Sequence, residues 1–158
     1  MHMMAVVIVP KSMASSEEEA KDLVRGKLAE EGVGAKPGLF VWPLYDWFRI
    51  GGGYSGILKA ISLGAERYWK FRRDEATSEA EEYPEISPPI EKRDGFKDGE
   101  YPDDVLPLNK EIAKYLRSEM GSVDEGCDLM QPWYWVLDGR EVEAHVGNAF
   151  AVLVDLHH

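Results

Sequence analysis

Apolar positions along the chain change their spacing several times, and each change marks an element. Ala5-Val6-Val7-Ile8-Val9 is an unbroken apolar run rich in β-branched residues and closed by Pro10, the pattern of a buried strand. Ser16-Glu17-Glu18-Glu19 then reads as a capping box, with Ser16 capping a helix and Glu19 reaching back. Ala20, Leu23, Val24 and Leu28 recur at helical spacing, and Gly32 is a natural stop. After a turn-rich linker at 34–38, Leu39-Phe40-Val41-Trp42 predicts a short second strand ended by Pro43. A second helix is predicted from Gly56. Ile57, Leu58, Ile61, Ala65, Tyr68 and Trp69 form its broad apolar face, and Lys70, Arg72 and Arg73 suit the negative pole of its dipole.

The second half alternates differently. Residues 74–107 carry acidic runs, five prolines and few aliphatics, which predicts a long surface excursion, partly disordered and without regular structure. Asn109 caps a third predicted helix whose stripe is Ile112, Tyr115 and Leu116, ended by Gly121. Trp133-Tyr134-Trp135-Val136-Leu137 reads as a strand, Asp138-Gly139 as a two-residue hairpin turn, and residues 140–146 as the return strand, with Val142, Ala144 and Val146 alternating with polar neighbours. Gly147-Asn148 is a further turn, and residues 150–156 are apolar enough for a central strand. Three helices and a late run of strands in 158 residues predict a single α+β domain with a mixed or antiparallel sheet, for which a ferredoxin-like sandwich is one arrangement.

Charge narrows the partners. A formal net charge of -11 repels phosphate backbones and anionic membrane surfaces, so direct nucleic-acid and membrane binding are not expected. Mimicry of nucleic acid toward a basic partner is the sharper reading of the same charge. A single cysteine, Cys127, cannot form an internal disulfide, which fits a reducing, cytoplasmic setting. No stretch is long enough to cross a bilayer, and the opening residues lack the basic region of a signal peptide. The repeated Met at positions 1, 3 and 4 suggests a cloning remnant ahead of a native start at Met3 or Met4.

The densest motif is residues 46–56, in which Asp46, Trp47, Phe48 and Arg49 lead through Ile50 to Gly51, Gly52 and Gly53, then Tyr54 and Gly56. Three consecutive glycines are costly in chain entropy and are used where the backbone needs positive φ or a close approach. Flanking aromatics can wall a small cleft, and Asp46 and Arg49 place one charge of each sign beside it. Gly51, Gly53 and Gly56 match G-x-G-x-x-G formally, but no strand leads to the acid such a dinucleotide site needs. An anion held by free N–H groups at 54–56 is compatible with the pattern. So is the blander alternative, a tight turn with Trp47, Phe48 and Tyr54 as core.

On Asp46, Trp47, Phe48, Ile50, Gly51, Gly52, Tyr54 and Gly56, together with Val154-Asp155-Leu156-His157, the chain resembles an uncharacterised prokaryotic and phage family. That family shares Asp-Trp-Tyr/Phe-x-Ile-Gly-Gly-Arg-Trp-x-Gly and a terminal Val-Asp-x-His strand. Gly53 stands where the family has Arg and Tyr54 where it has Trp. An anion contact made by that Arg in relatives is therefore lost here or supplied by Arg49. The resemblance implies kinship and a mobile-element context, and no activity or cofactor.

Other chemistry is sparse. Asp155 and His157 share one face of a strand and could ligate a metal with His145 or Cys127, against the simpler reading of solvated terminal histidines. Acids beside Cys127 raise its thiol pKa, opposite to what a nucleophile needs. Asp103 and Asp104 read as solvated surface. The expected function is a non-enzymatic binding protein, a phage-type inhibitor or small-ligand-sequestering domain. Its cleft would be formed by Asp46, Trp47, Phe48, Arg49, Gly51, Gly52, Gly53, Tyr54 and Gly56, would take a protein partner or a small anionic ligand, and is compatible with a homo-oligomer. The alternative is a small hydrolase or transferase acting on a phosphorylated small molecule, with Asp46, Arg49 and His157 converging.

Overall fold

The computed structural model describes residues 2–32, 45, 47–63 and 104–157. The class is α+β, and among the described residues three helices lie on a six-stranded mixed sheet. The strands are β1 (His2–Pro10), β2 (Trp47–Ile50), β3 (Val105–Pro107), β4 (Gly121–Ser122), β5 (Trp133–Val136) and β6 (Ala149–His157). The helices are α1 (Glu17–Gly32), α2 (Ile57–Ser62) and α3 (Lys110–Glu119). The sheet order is β2-β6-β1-β5-β4, and β3 pairs with β6 on the same side as β2. A ferredoxin-like arrangement finds no confirmation in this order.

Continuous apolar runs place β1 and β6 at the centre. Successive side chains of a strand point to opposite faces, so a strand covered on both sides must be apolar throughout. Met4, Val6 and Ile8 of β1, with Ala151 and Leu153 of β6, face α2 and α3 in one core. Met3, Ala5, Val7 and Val9, with Phe150, Val152, Val154 and Leu156, face Ala20, Val24 and Leu28 of α1 in a second core. Helices on both faces therefore make three layers.

The capping signals fold as their chemistry requires. Ser16 Oγ accepts from Glu19 N–H at 3.2 Å, while the Glu19 carboxylate accepts from the N–H and hydroxyl of Ser15, both at 2.8 Å. The capping box is thus displaced by one residue on its return side. Asn109 Oδ1 accepts from Ile112 N–H at 2.8 Å, and Ile112, Tyr115 and Leu116 are buried as the stripe predicts.

Three expectations change. The hairpin after Asp138-Gly139 does not form: residues 142–145 are a 3₁₀ turn. The reason is that β5 has partners on both sides, pairing parallel with β1 over Ala5–Ile8 and with β4 at Trp133 and Tyr134. The turn is held instead by Asp138, whose carboxylate accepts from Arg140 N–H at 3.0 Å and meets buried His145 Nε2. Secondly, α2 ends at Ser62, where Leu63 N–H turns back to Ala60 and Ile61. The expected continuation through Tyr68 to Arg73 lies outside the described residues, as does the strand expected at 39–42. Thirdly, the end of the proline-rich stretch is regular, because residues 105–107 pair with Val152, Ala151 and Phe150 of β6. Pro107 is tolerated there because β3 is a short strand at the side of the sheet.

Candidate functional site

Pairing of β2 with β6 brings the two motif islands together. Trp47 lies opposite His157, Phe48 opposite Leu156, Arg49 opposite Asp155 and Ile50 opposite Val154. Directly opposed residues share a sheet face, so Arg49, Asp155 and His157 stand together on the α2 side. His2, paired with His157 across β6, joins them, with the two rings 5.0 Å apart edge to face. Asp46 lies outside the described residues, as do the side chain of Trp47 and the whole of His158.

The glycines answer to two buried carboxylates. Gly51 adopts φ 70° and ψ −75°, a conformation that is rare and strained for residues with a Cβ. A Cβ there would also collide with the Asp104 carboxylate and the Ser55 hydroxyl. Gly52, at φ 57°, would place a Cβ 2.5 Å from the Asp155 Cβ. Asp104 accepts from Ser55 Oγ at 3.0 Å and from Gly56 N–H at 3.2 Å. Asp155 accepts from Gly53 N–H at 2.8 Å and contacts His2 Nδ1 at 2.8 Å. Both aspartates are almost wholly buried, which is costly for a carboxylate unless its oxygens are hydrogen-bonded. The solvated surface expected for Asp104 is thereby corrected, since two donors from the glycine turn allow its burial.

These bonds also decide the anion-binding idea. Gly51 N–H goes to Leu153 O, Tyr54 N–H to Gly51 O and Ser55 N–H to Gly52 O. Gly53 and Gly56 give theirs to Asp155 and Asp104. The N–H groups expected to be free at 54–56 are therefore engaged within the protein, and the anions held by the turn are its own carboxylates. The formal dinucleotide pattern has no parallel-sheet setting either, because β2 is an antiparallel strand at the side of the sheet.

The aromatic walls face different cores. Phe48 packs with the α1 core, its ring edge to face with Tyr45 at 6.0 Å, and Tyr45 donates its hydroxyl to Leu28 O at 2.6 Å. Tyr54 is half-buried against the α2–α3 core. What the turn presents outward is Arg49, Gly53 and part of His2, each exposed.

The suggested metal set does not assemble. Among the described residues no group of three or more His, Cys, Asp or Glu side chains is arranged to hold a metal ion. His145 is engaged by Asp138, and Cys127 lies against Gly121. Burial, and then the Asp128 charge, push the Cys127 thiol up, in the direction the sequence indicates.

Sequence reasoning missed Asp104 and His2 as partners of the glycine turn. Asp104 carries no local signal, since its partners Ser55 and Gly56 lie about fifty residues upstream. A signal for Asp155 was present in the terminal Val-Asp-x-His island.

Among the described residues, no helix is long and apolar enough to cross a membrane. Compared with known proteins, the chain matches no family model, no curated protein and no solved structure.

Proposed function

We propose that the chain is a non-enzymatic binding protein that holds an anionic group at the glycine end of its sheet, with Arg49 as the charge contact. The observation that carries this reading is the exposure of Arg49 beside a turn whose backbone is fixed by two buried aspartates. A contact placed on a rigid element loses little freedom on binding. A sequestered small anion and an acidic side chain of an inhibited partner present the same chemistry to Arg49. Native mass spectrometry of gently purified protein separates them. A retained small mass lost in Arg49→Ala supports ligand sequestration. A co-purifying protein lost in the same variant supports the inhibitor form. A retained species indifferent to Arg49→Ala, or no retained species, overturns the reading.

One observation favours a second reading, a small hydrolase or transferase acting on a phosphorylated small molecule. A buried carboxylate at Nδ1 of an exposed imidazole is the arrangement that orients Nε2 as a general base, and Asp155 holds His2 in this way; the reading requires His2 to belong to the natural chain, against a native start at Met3 or Met4. Arg49, opposite Asp155, would hold the phosphoryl group. Hydrolysis of a generic aryl phosphate that falls in both His2→Ala and Arg49→Ala would support it. Absence of turnover, or turnover unchanged in both variants, sinks it.

A further inference from the structure

A second feature lies away from the glycine turn and shares no residue with it. α3 and the 3₁₀ turn at 142–145 enclose an open groove of about 600 Å³. Ala113 and Val146 and the aliphatic stems of its lysines give it a largely apolar floor, while Lys110, Lys114 and Arg117 stand along one side and Glu143 on the other. The volume is that of a small-molecule site, where an apolar body is oriented by a few polar groups.

The charges of this groove are of two kinds. Arg117 is held by acids: Nε and Nη2 donate to Glu143, and Nη1 donates to Glu125 at 2.7 Å. It forms a fixed wall toward a smaller crevice of about 200 Å³, whose rim carries Asp124, Glu125 and Glu141. Lys110 and Lys114 are different. Both are exposed, and neither makes an ion pair among the described residues. Their spacing of four residues brings their Cβ atoms within about 6 Å of each other on one helix face, so both ammonium groups can reach one head group. Lys110 also stands in the first turn of α3, where a cation opposes the helix dipole, so its charge does not serve the helix. Two such lysines beside an apolar floor, in a chain of net charge -11, make a local positive site in a negative field.

We propose that this groove binds a small amphipathic anion, an apolar body lying on Ala113 and Val146 with a carboxylate-like head between Lys110 and Lys114. The size of the groove and the placing of two cations four residues apart along its lining favour a small molecule over a partner helix, which would need a longer apolar track. The site is independent of Arg49, so its failure leaves the proposed function untouched.

The test uses the full chain and anilinonaphthalene sulfonate, a fluorescent probe with an aromatic body and one anionic group. Fluorescence titration should saturate at one probe per chain. Lys110→Glu with Lys114→Glu, both at exposed positions, should weaken binding by about tenfold or more, as loss and reversal of two charge contacts implies. The far-UV circular dichroism should not change and the melting temperature should not fall, since a glutamate at 110 suits the helix dipole. Dodecanoate should displace the probe and dodecanol should not. Unsaturable binding, equal affinity in the double variant, or equal displacement by dodecanol overturns the proposal. So does a concentration-dependent dimer that the double variant abolishes, which would give the groove to a second copy of the chain.

Discussion

The glycine turn and the α3 groove use charge in opposite ways. At the turn, Asp104 and Asp155 are buried and satisfied by backbone and side-chain donors, and they set the path of the chain. Along α3, Lys110 and Lys114 are solvated and set no part of the fold. The glycines and Asp155 of the motif engage groups within the protein, while Lys110 and Lys114, which the sequence does not single out, stand exposed beside the groove. A buried ionised group is retained only when its surroundings satisfy it, so it reports on the fold first. An exposed pair of like charges beside an apolar floor contributes little to folding.

The largest effect that could break this comparison is at Gly51. Gly51→Ala combines a strained backbone conformation with a collision at Asp104, and should cost about 3 kcal/mol or more in chemical denaturation. Gly56→Ala serves as the control. Its φ of 86° is also positive, but with ψ of −17° it lies in the milder αL region and a Cβ there meets open space, so the loss should be about 1 kcal/mol. Equal losses at the two positions would show that neither the collision with Asp104 nor the rarer conformation of Gly51 adds to the ordinary cost of a Cβ at positive φ.

The smallest effect concerns the exposed acids around Arg117. Hydrogen bonding to Arg117 is the main reason that the Glu143 carboxyl is held below its ordinary value. A lowered carboxylate pKa contributes stability that is present above the ordinary value, about 4.3 for a glutamate, and is lost as pH falls through the lowered one. Wild type should therefore melt slightly above Arg117→Met near neutral pH, and the gap should close in acid. A gap that persists at the lowest pH would mean that Arg117 acts through packing of its stem.

Local chemistry was legible in the sequence, and long-range pairing was not. The Ser16 and Asn109 caps, the apolar faces of α1 and α3, and the central place of β6 all follow from short windows of residues. So does the need for glycine at 51 and 52, though not what approaches them. Asp138-Gly139 carries a strong local hairpin signal, yet the hairpin fails because the pairing of β5 is decided by β1 and β4. Asp104, next to Asp103 and two prolines, reads as surface because nothing nearby reveals Ser55 and Gly56. Of the candidate site, Arg49 was expected to converge with His157 and Asp46, of which Asp46 lies outside the described residues; its pairing with Asp155 was not anticipated, since register between distant strands is not written in either strand alone.

β6 pairs with β1, β2 and β3, and it follows all of them in the chain. During synthesis, β1 emerges before β2, β3 and β6 and must wait for its antiparallel partner until β6 follows far downstream. Its apolar run has no antiparallel neighbour until residues 149–157 have left the ribosome. Formation of this sheet is then gated by the synthesis of β6, and contacts of such long sequence separation form slowly. Until that moment the nascent chain exposes a sticky β-prone segment, which makes β1 the natural client for a chaperone and the point at which a stalled chain would aggregate.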